Sequence, residues 1–193
     1  QTVGDRSACI VRVAAGEEAL IKRTLDLGAD GIIVPQVNSA EQAEQVVRFA
    51  RYAPQGARGV GLGRAQGYGL RFQEYVETAN ERVSVIVQAE HFKAVENIEA
   101  IVQVPGVDAV LIGPYDLAAS LGKMGQVQDP AVLEAVDHVT DACRAAGMPL
   151  GAFGLTAESV KPYAEKGFTF LVAGVDTLLL GQSAAKLLAE LRS

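Results

Sequence analysis

Short, unbroken runs of Val, Ile and Leu alternate with longer stretches of helical spacing along this chain, and that alternation constrains its fold more than any other feature. The apolar runs are Ala8–Val13, Gly31–Pro35, Val83–Gln88, Ala109–Ile112, Leu150–Phe153 and Phe170–Ala173. The helical stretches are Glu17–Leu27, Ser39–Ala50, Ala94–Val102, Pro130–Ala146, Ala157–Lys166 and Thr177–Leu191. A strand that is apolar at every position, rather than at every second one, is buried on both faces. That pattern belongs to a parallel sheet covered by helices. The repeated strand-then-helix order gives an α/β fold. A closed (β/α)8 TIM barrel needs eight strands and about 250 residues. An open doubly wound sheet is satisfied by six. The strand that starts almost at the first residue favours a barrel of about six βα units with the first two missing. At 193 residues the chain is read as a single domain over 1–193.

Punctuation supports these boundaries. Asn38-Ser39-Ala40-Glu41 suits a helix start, and Asp129-Pro130 sets an N-cap before a proline at the first helical position. Gly28, Gly147 and Gly167 each follow a helical stretch, where a left-handed cap residue belongs. The longest non-periodic region runs from Ala53 to Asn80 and reads as a functional loop or lid with a short helix at Phe72–Thr78.

Composition excludes several functions. The chain is 49% hydrophobic and 21% charged, which is ordinary globular material. A net charge of -6, with no Lys/Arg cluster, disfavours nucleic acid and anionic membrane as partners. No apolar run approaches the roughly 18 residues of a membrane span, and no signal peptide precedes the first strand. Cys9 and Cys143 stand far apart without a CxxC pattern, as thiols of a reducing, cytoplasmic compartment do.

The candidate chemistry sits at strand ends. Glu90 closes the run that begins at Val83, and Asp116 follows the run from Val110. A carboxylate at the mouth of a buried parallel strand is costly to desolvate unless something positive meets it. Two of them suggest a shared hard cation, Mg2+ or Mn2+, with Co2+ also accommodated by oxygen ligands. The plainer alternative is a helix cap or a salt bridge at each position. Arg12, inside an otherwise apolar strand, needs an acidic partner or an anionic ligand. Asp26 lies late in a helix, where an acid opposes the dipole and calls for a specific partner or a solvated face. The turn Gly113-Pro114 before Asp116 frees backbone amides that can hold a carboxylate, or is an ordinary βα turn. The segment Gly59–Gly69 is glycine-rich but lacks both GxGxxG and Gly-Lys-Ser/Thr. His91 and Glu90 are adjacent in a strand and point to opposite sides. His138 reads as a surface helix residue. No nucleophilic triad stands out.

Several segments carry a resemblance. They are Gly31-Ile-Ile-Val-Pro-Gln-Val-Asn-Ser-Ala-Glu41, Arg51-Tyr-Ala-Pro-Gln-Gly-Ala-Arg-Gly-Val-Gly61, Val87-Gln-Ala-Glu90, Leu111-Ile-Gly-Pro-Tyr-Asp-Leu-Ala-Ala-Ser-Leu-Gly122 and Val172-Ala-Gly-Val-Asp-Thr177. Together they resemble the class II pyruvate aldolases, the group that includes 4-hydroxy-2-oxoheptanedioate and 2-dehydro-3-deoxyglucarate aldolases. The resemblance implies a (β/α)8 barrel, a hexamer, and a site near a subunit interface. It implies Glu90 and Asp116 as metal ligands, and Arg12 as the arginine on the pyruvate keto oxygen. It implies Gln88 beside the metal, the stretch Gly113, Pro114, Tyr115 and Asp116 as the carboxylate pocket, and Asp26 as the partner of a catalytic histidine. Arg64 would lie in a loop near the pocket. The implied reaction is reversible aldol cleavage of a 4-hydroxy-2-oxo acid to pyruvate and an aldehyde.

Two departures accompany it. The family's usual Gln-Ile-Glu-Thr is Gln88-Ala-Glu-His91 here. The family's base histidine, in a Glu-His motif after the second strand, falls before the first residue of this sequence. Two rival readings follow: a citramalyl- or malyl-thioester lyase, and a metal- and pyruvate-binding subunit with impaired catalysis.

Overall fold

The computed structural model describes residues 7–192. Six parallel strands form one sheet in the order β1-β2-β3-β4-β5-β6. They are β1 (Ile10–Arg12), β2 (Gly31–Val34), β3 (Ser84–Ala89), β4 (Ala109–Ile112), β5 (Leu150–Gly154) and β6 (Phe170–Ala173). Each strand therefore pairs with its neighbours in sequence. An open doubly wound sheet needs a point where the strand order reverses, and none occurs among the described strands. With right-handed crossovers and no reversal, every connecting helix falls on the same side. The sheet accordingly curls into a half-barrel with helices outside.

The packing follows the period-two alternation. Ile32, Val34, Val85, Val87, Val110 and Ile112 face outward and join the main core against the helices. Ile33, Ile86, Ala109 and Leu111 face the concave side, with Ile10, Phe170 and Val172 beside them. The helices are α1 (Glu18–Asp26), α2 (Ala40–Ala50), α3 (Phe72–Arg82), α4 (Phe92–Glu96), α5 (Ile98–Ile101), α6 (Pro114–Ser120), α7 (Pro130–Ala145), α8 (Ala157–Glu165) and α9 (Asp176–Arg192).

Several expected caps are present. Ser39 Oγ accepts from Gln42 N, and Asp129 Oδ1 accepts from Ala131 N at 3.0 Å. Gly147 ends α7 with φ +68°, which a side chain rarely tolerates. Three expectations differ from what forms. The stretch Ala94–Val102 is two short helices, α4 and α5, broken at Asn97. The long loop carries a 3-10 turn at Arg64–Gln66 and a helix reaching Arg82 rather than Thr78. Gly113-Pro114 starts a full helix, so Asp116 lies in the first turn of α6.

The base of the long loop is pinned by Arg51, which is only 5% exposed. Its guanidinium donates to the carbonyls of Asn80 and Val83 and to Asp108 Oδ2 at 2.8 Å. At the other end of the chain the packing is loose. No residue of α9 is buried, and Leu171 and Ala173 on β6 are exposed. No helix among the described residues is long and apolar enough to cross a membrane.

Candidate active site

Parallel strands end together, so the residues just past their C-termini meet at one rim of the half-barrel. β1 delivers Arg12 there, β3 delivers Gln88 and Glu90, and β4 with α6 delivers Gly113 to Asp116. Alternation puts Gln88 and Glu90 on the concave face, in line with Ile86.

These side chains are linked. Arg12 Nε donates to Gln88 Oε1 at 3.0 Å. Gln88 Nε2 donates to Glu90 Oε2 at 2.8 Å. The two bonds together fix the amide's orientation, because turning it over would set donor against donor. Glu90 Oε1 accepts from the backbone N–H of Gln36 at 2.9 Å. Glu90 is 2% exposed and Gln88 7%. Burial raises the Glu90 pKa; the Gln36 amide opposes that rise, the Asp116 carboxylate adds to it, and Arg12 opposes it. A buried carboxyl with a second negative charge facing it is a site short of a positive charge. Asp116 itself is exposed at the rim.

Gly113 makes this geometry feasible. A Cβ there would lie 3.0 Å from both Glu90 Cβ and Glu90 Oε2. Its φ of −107° is ordinary for any residue, so the need for glycine is one of space. Gln36 is the contributor that the sequence did not signal. It is a non-glycine residue at φ +56°, a strained conformation, and its N–H is the one that reaches Glu90.

Arg12, Gln88, Glu90, Gly113 and Asp116 all line one cavity of about 930 Å3. Pro114 and Tyr115 line it too, so all seven residues singled out at the strand ends come together. Of the two expectations for Arg12, an acidic partner or an anionic ligand, the first is not met within the described residues. Its partner is the neutral amide of Gln88, and no carboxylate lies within 4.0 Å of it among the described residues. Its outer guanidinium edge is therefore left for a ligand.

Asp26 is not brought to this cavity. α1 runs back from the rim, so its last residue sits at the opposite end of the sheet. There Asp26 pairs with Lys22 and accepts from Arg58 Nη2 at 2.8 Å. The Arg58 guanidinium lies 4.6 Å from the Tyr52 ring centroid. The acid late in α1 thus has its specific partner, but a structural one. Arg64 is at the same far end, donating to Leu27 O, rather than near the pocket. His91 caps α4, its Nδ1 accepting from Lys93 N at 3.2 Å. His138 pairs with Glu99 on the surface. Neither histidine lines the cavity.

Among the described residues no group of three or more His, Cys, Asp or Glu converges on one point. The Glu90–Asp116 pair is the kind of sparse oxygen set used by a hard cation that keeps water and substrate oxygens as its other ligands.

Known proteins resemble this chain over most of its length. A hydroxypyruvate/pyruvate aldolase of Cupriavidus necator is 42% identical over 185 residues, covering 95% of this chain and 68% of the relative. A 4-hydroxy-2-oxovalerate aldolase of Rhodococcus jostii is 41% identical over 192 residues, covering 98% and 74%. The crystal structure of an aldolase/citrate lyase family protein from Burkholderia cenocepacia superposes with a TM-score of 0.89 at 38% identity, covering 95% of this chain and 73% of that one. Residues 2–182, which include every residue of the strand-end cluster, match the family profile itself, and the chain belongs to the HpcH/HpaI aldolase/citrate lyase family.

Proposed function

We propose that this chain is a metal-dependent carbon–carbon lyase that cleaves 4-hydroxy-2-oxo acids reversibly to pyruvate and an aldehyde. The observation that carries the reading is the hydrogen-bonded series Arg12–Gln88–Glu90 opening onto the cavity beside Asp116. Its relatives' names describe the same chemistry. The Glu90–Asp116 pair, one carboxylate buried and the other at the rim, fits a divalent cation such as Mg2+ or Mn2+, and Co2+ suits the same oxygens. When bound, that cation supplies Lewis-acid stabilisation of the keto oxygen as negative charge develops there.

The chain's own residues do the rest. Gln88 holds Arg12 by its Nε, so the outer guanidinium nitrogens face the substrate's keto oxygen as preorganised donors. The same amide fixes one Glu90 oxygen, and the Gln36 N–H fixes the other. The turn Gly113–Pro114–Tyr115 and the first amides of α6 receive the substrate carboxylate. Asp26 serves the packing of α1 rather than the chemistry of this cavity.

We also propose that 1–193 is a single domain, six units of a (β/α)8 barrel. The chain's coverage of 68–74% of these relatives supports that reading. Self-association with further copies, as a hexamer, completes the proposal. α9 presents Leu180, Leu187, Leu188 and Leu191 on one face, all exposed. Two free thiols suit a cytoplasmic setting.

Calorimetry with Mn2+ and pyruvate tests the site. Pyruvate should bind only with the cation, and Glu90→Ala and Asp116→Ala should each abolish Mn2+ binding. Undiminished Mn2+ affinity in both variants would refute the assignment.

A further inference from the structure

The cavity has a second side that the pyruvate-binding groups do not use. Strand register defines it. Gln88 pairs with Leu111, Leu111 with Gly151, and Gly151 with Phe170. Two residues further along each strand, on the same concave face, come Glu90, Gly113, Phe153 and Val172. Phe153 and Val172 are themselves register partners. The layer that holds the Glu90 carboxylate on β3 is therefore continued on β5 and β6 by an aromatic ring and an isopropyl group. Leu155 follows Phe153 on the same face just beyond β5. All three line the cavity with Arg12 and Glu90. Phe153 is 40% exposed and Leu155 51%, so their side chains meet whatever fills the space.

The cation on that side already has an acidic partner. Of the residues that line the cavity, the cations are Arg12 and Lys166. Arg12 belongs to the polar end. Lys166 is paired with Asp137 Oδ1 at 2.7 Å. Glu158 lines the same stretch and adds a negative charge.

We propose that Phe153, Leu155 and Val172 form the acceptor wall of the site and select aldehydes whose chain ends in an apolar group over those that carry a carboxylate. This rests on the aldolase reading above and names the substrate class of that site. The 2-oxo acid end is fixed between Arg12 and the Glu90–Asp116 pair, and the remaining carbons lie along β5 and β6. A methyl-terminated chain there loses water against Phe153 and Leu155. A carboxylate there loses hydration against the same apolar side chains and faces Glu158.

Binding of two uncleavable substrate analogues tests it without turnover. 2-Oxoheptanoate and 2-oxoheptanedioate share the 2-oxo acid head and seven-carbon chain, and both lack the 4-hydroxyl group. They differ only in a terminal methyl or carboxylate. Calorimetry in the presence of Mn2+, with pyruvate titrated alongside, should show 2-oxoheptanoate binding at least about tenfold tighter than the dianion. Phe153→Arg should narrow or reverse that ratio. Leu155→Arg, at a more exposed position, should do the same and serves if the first variant fails to fold. If pyruvate binds and the dianion binds equally well or better, the wall assignment is overturned. An unchanged ratio in both arginine variants overturns it too. If pyruvate itself fails to bind with Mn2+, the aldolase reading falls, and this inference with it.

Discussion

Replacing Gly113 with alanine tests how tightly the site is built. The new methyl would sit 3.0 Å from Glu90 Cβ and Oε2 and 3.5 Å from Gln88 Nε2. Carbon atoms at rest stay about 3.5–4.0 Å apart, so Glu90 must retreat by about half an ångström. It has nowhere easy to go, because Gln36 N–H holds one oxygen and Gln88 the other. Overpacking of this kind costs about 1–3 kcal/mol, and weakening a hydrogen bond to a charged group costs part of a further 1.5–3 kcal/mol, roughly. We expect a total of about 3 kcal/mol, which for a domain of this size lowers the melting temperature by roughly 6–12 °C. Mn2+ affinity should fall about tenfold as the carboxylate leaves its place. Gly147→Ala is the control: nothing lies within 4 Å of its Cβ, but φ is +68°. It should cost about 1 kcal/mol through the backbone alone and leave Mn2+ binding intact. Differential scanning calorimetry and a Mn2+ titration read both quantities. A Gly113→Ala protein that melts within about 2 °C of the parent with unaltered Mn2+ affinity would refute the packing argument.

Other outcomes follow from the same geometry. Arg12→Ala should lower the rate of aldol cleavage by about 10²–10³-fold with little effect on pyruvate affinity; steady-state kinetics with a parallel binding titration separates the two. Arg51→Ala leaves the carbonyls of Asn80 and Val83 without their donor and Asp108 without its partner. It should destabilise by about 3 kcal/mol, measured by urea unfolding, and a loss under about 1 kcal/mol would contradict it. The buried Cys143 thiol is pushed up from 9.0 to about 12 by desolvation. Its folded pKa is raised, so its contribution to stability is intact below the unfolded value and is lost as pH climbs from there towards the folded one. Between pH 9.0 and about 12 the parent should therefore lose stability more steeply than Cys143→Ala; parallel slopes in denaturant titrations would rule this out. A thiol reagent should label Cys9 readily and Cys143 only after unfolding, as mass spectrometry would show.

The fold class was legible because parallel strands buried on both faces leave an unmistakable trace, as in Val110-Leu-Ile112. Helix starts were legible where a side chain caps, at Ser39 and Asp129. The start of α6 was not, because Gly113-Pro114 reads equally as a turn and as a helix entry, and only packing decides. The strand-end rule pointed to Arg12, Glu90 and Asp116, which line one cavity. It could not find Gln36, whose role belongs to a backbone N–H that any residue carries. Asp26, named through the resemblance, lies away from the cavity, and a one-dimensional pattern does not say at which end of a layered fold a helix terminus falls. Arg12 was expected to meet an acid or an anionic ligand, and the amide of Gln88, two residues from the acid, stands between it and Glu90. The apolar spacing of α9 signals a helix but not what covers it.

The strand order has a consequence for how the chain acquires its shape. Among the described strands, each from β2 on pairs with the strand that left the ribosome just before it. Assembly can proceed by accretion, each βα unit using its predecessor as a template, as in a linear array of repeats. Each closure then joins consecutive units, the longest being that from β2 to β3, and the kinetic barrier stays low relative to sheets that join remote segments.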